Sequence, residues 1–571
     1  MRGAGAITLM FQQKDLATMR SMLLRAAAPL ALLAAGAAHA QDSAPIDPAA
    51  MSATVREIAS DAYQGRAPGT PGETKTVDYL AARFKALGLE PGGDKGGWTQ
   101  AVPLIHTRLG NGTMTAGVAG TRITFEQGRT IYASTVRAGD RVRIADAPMV
   151  FVGYGVTAPE RQWDDFKGVD LHGNIAVFLV NDPDFSAASG EAVAGRFGGR
   201  RMTYYGRWTY KFAEAARRGA LGALIVHDTP GAGYGWSTVV APGGENYDIV
   251  RPASEPPRVA LQGWLEGESA RDLFRRAGLD LDALRIRARR ADFRPVPLAG
   301  ASFSADLPVT AERVESRNVV AKLTGTSHPD ETIMYGAHWD AYGLGAPDAQ
   351  GRTERAGAAD DAIGIAGVLE LARAFKAAPR TQRSIVFALW TGEERGLLGS
   401  ETYAAHPLFP LDRTVANLTM DVLQMAGPAR DVVLVGNGQS SLDDLLATAA
   451  ARQGRTITPE ALPERGLFYR ADHFSVAQRG VPSLLLMGMS GGHDLLAGGR
   501  AAGDAWLTDY MKCYHQTCDR WSASWDLRGA AQDVALLYAI GRQLGDSRAW
   551  PEWRAGSEFK DLRDASAAAR R

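Results

Sequence analysis

A chain of 571 residues, 45% of them hydrophobic, can bury more than one core, and its length favours more than one domain. Its 63 basic and 63 acidic residues cancel, which excludes the charge excess of a nucleic-acid or anionic-membrane binder. Beyond the N-terminus no stretch of about 18 uninterrupted apolar residues occurs, so no membrane span is expected.

The N-terminus reads as an export signal. Met22-Leu23-Leu24-Arg25 leads into an apolar stretch from Ala26 to Ala38, and Ala38-His39-Ala40 is a small-x-small cleavage site before Gln41. Residues 1–40 are assigned to this signal, with translation starting at Met19 or Met22, because nothing before Met19 fits the pattern. The mature protein is expected outside the cytoplasm, periplasmic or secreted. The chain has two cysteines, Cys513 and Cys518. In an exported protein one disulfide is the simplest reading; two free thiols, or a metal site using both, are the alternatives.

After a polar linker, Met51 to Tyr63 and Thr74 to Leu87 read as amphipathic helices, separated by a Gly/Pro-rich loop from Gln64 to Gly72. From Val102 to Arg143 short alternating strands follow. Met149 to Gly155, Ile175 to Val180 and Ala223 to Val226 are stronger strand candidates, with a helix near Tyr210 to Arg218. This strand-rich block runs to about Arg294 and holds no convincing catalytic cluster. His227-Asp228 at a strand end reads as a surface pair.

From Asn318 the pattern changes to alternating strands and helices: strands Asn318–Leu323, Thr332–Gly336, Ser384–Trp390, Ala416–Met420, Val432–Val435 and Ser483–Met487, and helices Ala362–Lys376 and Gly529–Leu544. Their near-continuous apolar runs are those of strands buried on both faces. The last residues, Lys560 to Arg571, carry no evident chemistry.

Ligands of such sheets gather at the carboxyl ends of the strands. There the sequence places His338 and Asp340, then Asp360-Asp361 in a loop entering a helix, then Glu393-Glu394, then Asp421, and finally Cys513-Tyr514-His515-Gln516-Thr517-Cys518-Asp519. Taken alone, Glu393-Glu394 is an acidic turn before a helix. With two histidines and further carboxylates at neighbouring strand ends, the set suits zinc, with manganese and cobalt compatible. His338 and Asp340 face one way on an extended segment, so Asp340 can accept from the ring nitrogen of His338 that is turned away from a metal.

The order His-x-Asp, Gly-Ala-x-Asp-Asp, Glu-Glu-x-Gly-Leu-x-Gly-Ser, Met-Asp and Tyr-His resembles the secreted two-zinc aminopeptidases. Asp61 to Gly72, Arg470 to Phe474 and Gly480-Val481-Pro482 are similar to further segments of that family. Tyr204 to Trp208 with Gly153-Tyr154-Gly155 resembles the protease-associated domain inserted in many members. The resemblance implies an α/β/α sandwich with a mixed, mostly parallel sheet. It divides the chain into an N-terminal peptidase part (45–130), an inserted β-rich domain (131–295), the main peptidase part (296–548) and a tail (549–571).

Carried over residue by residue, the resemblance makes Asp360 the bridge between two Zn2+ ions. His338 and Asp421 complete one site, and Glu394 and His515 the other. Glu393 is the general base, Tyr514 a candidate donor to the developing oxyanion, and Asp340 and Asp361 sit behind the ligands. The Asp360–Asp361 peptide is expected to be cis. The implied reaction is removal of N-terminal residues from peptides. Alternatives on the same scaffold are a dipeptidase, a carboxypeptidase, a glutaminyl cyclase or a silent receptor-like protein. His493 is the rival to His515, and His473 reads as structural. The sequence departs from the family's pattern at Ala359, at Ile363 and in the cysteines flanking His515, where a disulfide would tether the loop that delivers the last ligand.

Overall fold

Strands with near-continuous apolar runs must be covered on both sides, and four of them form the centre of the molecule. In the computed structural model, which describes residues 46–252, 255 and 258–570, strands Arg383–Trp390, His328–His338, Thr414–Asp421 and Ser483–Met487 lie side by side in parallel. Strand Val296–Leu323 pairs antiparallel with one edge of this group, and Asp431–Leu434 with the other. The export signal expected over 1–40 lies outside the described residues. No helix among the described residues is long and apolar enough to cross a membrane.

Alternation along each strand divides the core in two. Ile333, Tyr335, Ile385, Phe387 and Leu389 face one layer, built on helices Pro48–Ile58, Pro71–Ala86, Ile363–Ala377 and Arg528–Gly545. Met334, Val386, Ala388 and Trp390 face the other, where Tyr403, Val476 and Val481 cover them. The result is a helix–sheet–helix sandwich whose mixed sheet is parallel at its centre.

A second sheet rises from the same chain. Strands Ile175–Leu179, Gly222–Val226 and Leu261–Leu265 are parallel, and Arg141–Phe151 continues the set. Its two faces are likewise separate cores: Ile175, Val177 and Leu179 on one side, Ala176, Phe178 and Val180 on the other. One strand joins the two sheets. Residues 296–308 of Val296–Leu323 pair within the second sheet, and residues 309–323 within the first.

Strands Thr113–Val118 and Thr121–Thr124, ahead of residue 131, pair within the second sheet, and residues 296–308 pair there as well. Short alternating strands carry no mark of the sheet they will join. In the other direction, Glu245–Ile249 pairs with Thr99–Leu109 of the first sheet. The tail expected after 548 packs onto the rest of the chain. Trp553 donates to Gly480 O, and Arg563, 1% exposed, donates to Thr414 O and Val415 O.

The Gly/Pro-rich loop near the N-terminus has a structural task. The first helix ends at Ile58, and a separate turn, Asp61–Arg66, drives Arg66 into the interior. Fully buried, its guanidinium donates to Trp339 O (2.8 Å), Ile58 O (3.1 Å), Ala356 O (2.6 Å) and Gly357 O (2.8 Å). It thereby fastens the loops that follow His338 and precede Asp360. Replacing it by Met would strand buried carbonyls, so Arg66→Met should lose about 3 kcal/mol or more of stability. Urea unfolding monitored by tryptophan fluorescence measures this, and an unchanged midpoint would refute the clamp.

Candidate metal centre and active site

Five side chains from five separate segments meet at the carboxyl edge of the central strands. His338 is the last residue of its strand, and Asp421 the last of the neighbouring one. Asp360 lies in the turn that opens helix Ile363–Ala377, Glu394 in the turn after Trp390, and His515 in the loop after helix Gly499–Tyr510. Their ligand atoms form two groups that share a member: His338, Asp360 and Asp421, and Asp360, Glu394 and His515, each with all its atoms within 4.8 Å of one another. The two oxygens of Asp360 face different histidines. Oδ1 is 3.1 Å from His338 Nε2, and Oδ2 is 3.3 Å from His515 Nε2. His515 Nε2 also lies 3.0 Å from Glu394 Oε2.

The electrostatics suit bound cations. Burial, and then the charges of Asp360 and Asp361, push the Asp421 carboxyl well above the ordinary range. Burial does the same to Glu393 against the pull of His338, with the charges of Asp421, Asp472 and Glu394 adding to it. Burial would raise Asp360 too, but hydrogen bonding with both histidines holds it below the usual carboxylate range. His515 is pushed up to about 9 by Glu394 and Asp360 against the opposing effect of burial. A buried set with more carboxylates than imidazoles is short of positive charge, and mixed N/O donors of this kind fit zinc.

The shell behind these groups differs in detail from the sequence reading. His338 Nδ1 is 3.1 Å from the backbone carbonyl of Asp340 and 3.6 Å from its carboxylate. The Asp340 carboxylate instead accepts from Glu393 N at 3.0 Å. Asp361 accepts from Gly364 N (2.9 Å), Val422 N (3.2 Å) and His338 N (3.3 Å), tying three ligand segments together. The peptide between Asp360 and Asp361 is cis. Gly357 turns the chain into this loop at φ 56°, where a Cβ would lie 2.3 Å from Asp360 O. Non-glycine residues with positive φ cluster nearby: Val422 (48°), directly after Asp421, Leu397 (66°) and His515 itself (62°). Such strain concentrates where a site dictates the backbone.

Cys513 and Cys518 form a disulfide around His515, with Cα atoms 5.1 Å apart. His493 joins neither group and is buried beside Asp431 and Asp533. His473 packs edge-on against Phe468. Ala359 and Ile363 are buried and do not line the cleft above the centre.

Several contributors were not read from the sequence. Asp519 accepts from Ala359 N (2.8 Å) and Asp360 N (3.1 Å), fixing the turn that carries the shared aspartate. Tyr342 packs on the His515 ring at 4.6 Å and donates to Glu394 O. Tyr514, which the sequence did single out, covers the same ring at 3.7 Å, and its hydroxyl accepts from Arg470 Nη2 at 3.1 Å. Adjacency to Cys518 was the one signal for Asp519. Glu393, Glu394, Tyr514 and His515 open onto a cleft of about 440 Å³ whose far wall comes from the insertion, including Tyr132, Arg207, Tyr234 and Trp264.

A mixed, mostly parallel sheet between helix layers, with a mixed N/O donor set at its carboxyl edge, is the fold of the zinc exopeptidases. An aminopeptidase from Aneurinibacillus sp. strain AM-1 has this fold at a TM-score of 0.50 and 20% identity, covering 90% of this chain and 96% of that one. Residues 318–539 match peptidase family M28. The match spans 222 residues, about two fifths of the chain, and makes this stretch similar to the M28 metallopeptidases. A probable zinc metalloprotease of Pyrenophora teres f. teres is 43% identical over 91 residues, 16% of this chain and 19% of the relative. The mouse aminopeptidase NAALADL1 is 32% identical over 130 residues, 22% of this chain and 16% of the relative. The chain thus spans about a fifth or less of the curated relatives named here.

If Asp360 is shared, removing it should empty both positions, whereas removing Asp421 should empty one. Zinc-reconstituted Asp360→Asn should bind little metal, and Asp421→Asn about one equivalent against about two in the parent. Elemental analysis after gel filtration reads this, and unchanged zinc in Asp360→Asn would refute the shared ligand. Reducing the disulfide should weaken zinc binding about 10-fold or more by loosening the His515 loop. Competition with a zinc chelator measures that shift, and equal affinity of reduced and oxidised protein would refute the tether.

Proposed function

We propose that the protein is an exported zinc-dependent aminopeptidase that hydrolyses the N-terminal bond of peptides at two metal ions. The observation that carries this reading is the shared Asp360, one oxygen toward each histidine, beneath a cleft that also receives Glu393. His338, Asp360 and Asp421 would hold one ion, and Asp360, Glu394 and His515 the other. When bound, the ions supply a Lewis acid for the scissile carbonyl and an acidified water.

Glu393 belongs to neither donor group. Its backbone N–H is held by Asp340, and its Oε2 lies 3.8 Å from His338 Nε2, so the carboxylate stands beside the centre with its position fixed. It takes the proton of the attacking water and returns it to the leaving amine. Arg470 donates to the Tyr514 oxygen, which leaves the phenolic hydrogen free to meet the oxyanion developing on the carbonyl.

The insertion, read as a protease-associated domain over residues 131–295, roofs the cleft and restricts it to chain ends. The disulfide and the N-terminal signal pattern support an oxidising destination, periplasmic or extracellular.

Glu393→Gln preserves size while removing the base, so it should retain zinc and lose about 10²–10⁴-fold in kcat. Elemental analysis and turnover of an aminoacyl anilide measure the two effects, with the N-acetylated substrate left uncut by both proteins. Near-parental turnover in this variant would remove Glu393 from the role of base.

A further inference from the structure

The wall that the insertion adds to the cleft contains an unpaired cation. Arg207 is 8% exposed, and among the described residues no hydrogen bond or ion pair reaches its guanidinium; Nε is covered and without a partner. It lines the same cleft as Glu393, Tyr514 and His515. Its neighbours include a second cation, Arg470, whose Nη2 is spent on the uncharged Tyr514 hydroxyl. Burial, and then the charge of Arg470, lower the Arg207 pKa to about 10, so it stays protonated at neutral pH.

The acids of the cleft are already used. Asp248 accepts from Arg251 (2.8 Å) and Arg258 (3.1 Å), and Glu401 from Arg251 (2.9 Å). Glu245 pairs with Arg108 and lies 3.8 Å from Arg395. Glu393 and Glu394 belong to the metal centre. A buried charge without a partner is costly, and the cost is recovered when an anion arrives.

Arg207 is also held in place. It links the turn Tyr204–Gly206 to helix Trp208–Arg217. Asn181 N donates to Gly206 O (3.2 Å), and Thr203 Oγ1 to Asp182 (2.9 Å). Two bonds cross to the peptidase domain, Met202 N to Pro463 O (3.0 Å) and Asn181 Nδ2 to Glu464 O (2.9 Å). The guanidinium is thus carried on a segment fixed to both domains, as a specificity contact requires.

We propose that Arg207 is a specificity-determining residue that binds a substrate carboxylate, so that the preferred substrates are short peptides bringing a negative charge into the cleft. This rests on the exopeptidase reading above. The volume of about 440 Å³ takes a ligand of drug size, which a short peptide is. The carboxylate is either the free C-terminus of a very short peptide or an acidic side chain.

The test uses the zinc-loaded full-length enzyme on leucine p-nitroanilide, leucylalanine, leucylalanine amide and leucylglutamate α-amide. Leucylalanine should exceed its amide in kcat/KM by about 10- to 100-fold if a C-terminal carboxylate is read, the range of a charge-assisted hydrogen bond. If a side-chain carboxylate is read, leucylglutamate α-amide should exceed leucylalanine amide by the same factor. In Arg207→Gln the favoured ratio should fall toward one, mainly through KM, and Arg207→Lys should restore part of it. A general structural defect would depress all substrates without moving the ratio. Equal rates on charged and neutral peptides in the parent enzyme would overturn the proposal, and that comparison needs no variant. An unchanged ratio in Arg207→Gln would overturn it too. Hydrolysis of the anilide without any charge preference defeats this inference alone, whereas no hydrolysis of any substrate defeats the exopeptidase reading as well.

Discussion

Carboxylates buried at the carboxyl ends of parallel strands are the constraint on which the rest of this architecture depends. Asp360, Glu393, Glu394 and Asp421 are gathered where solvent cannot dissipate their charge, and His338 and His515 do not balance them. Such a set persists only if its geometry is imposed by stronger bonds around it and its charge is met by bound cations. The surroundings supply the first condition in quantity. Arg66 fastens four backbone carbonyls, Asp519 two amides of the Asp360 turn, and Asp361 three amides from three segments. Each of these is itself a buried charge satisfied by backbone, so the cost of one polar layer is offset by the layer behind it.

The insertion depends on the same sheet. Because Val296–Leu323 serves both sheets as one strand, the second domain cannot swing about a flexible linker at that crossing without breaking paired backbone. Glu245–Ile249 adds a further rung to Thr99–Leu109, and loop 462–466 adds side-chain and backbone bonds. A cleft closed in this way has a fixed width. Under the proposed function, selection among substrates then falls to what lines the wall.

What was legible in the sequence follows from periodicity. His338, Glu394 and Asp421 follow apolar runs and Asp360 stands at the mouth of a helix, positions that a strand-end reading finds without coordinates, whereas His515 lies in a loop past the last strand; Ser483–Met487 even matches in its bounds. The α/β/α class was legible for the same reason, since two-sided burial leaves near-continuous apolar strands. What was hidden has no local signature. Arg66 sits in a Gly/Pro loop that looks solvent-exposed until its partners, 273 to 291 positions away, are known. Thr113–Val118 and Thr121–Thr124 alternate as any edge strand does, so nothing local tells which sheet they join. Arg207 is one arginine among many, and what sets it apart is a place in the cleft wall with, among the described residues, no hydrogen bond or ion pair to its guanidinium.

The two donor groups rest on unequal foundations. His338 and Asp421 end adjacent central strands, where they pair with Trp390 and Met487 of the flanking strands. Glu394 and His515 instead belong to turns, and His515 holds a left-handed backbone that costs a non-glycine residue about 1 kcal/mol or more. The loop that pays this cost is closed by Cys513–Cys518 and continues directly into Asp519, which holds the amides of Ala359 and Asp360. One short loop therefore sets both the exclusive histidine of one group and the backbone of the aspartate the groups share. Under the proposed ligand set, disorder in that loop removes the Glu394–His515 site first and the shared bridge with it, while His338 and Asp421 remain in place. The disulfide is best understood there, as what keeps the weaker half of the centre from setting the affinity of the whole.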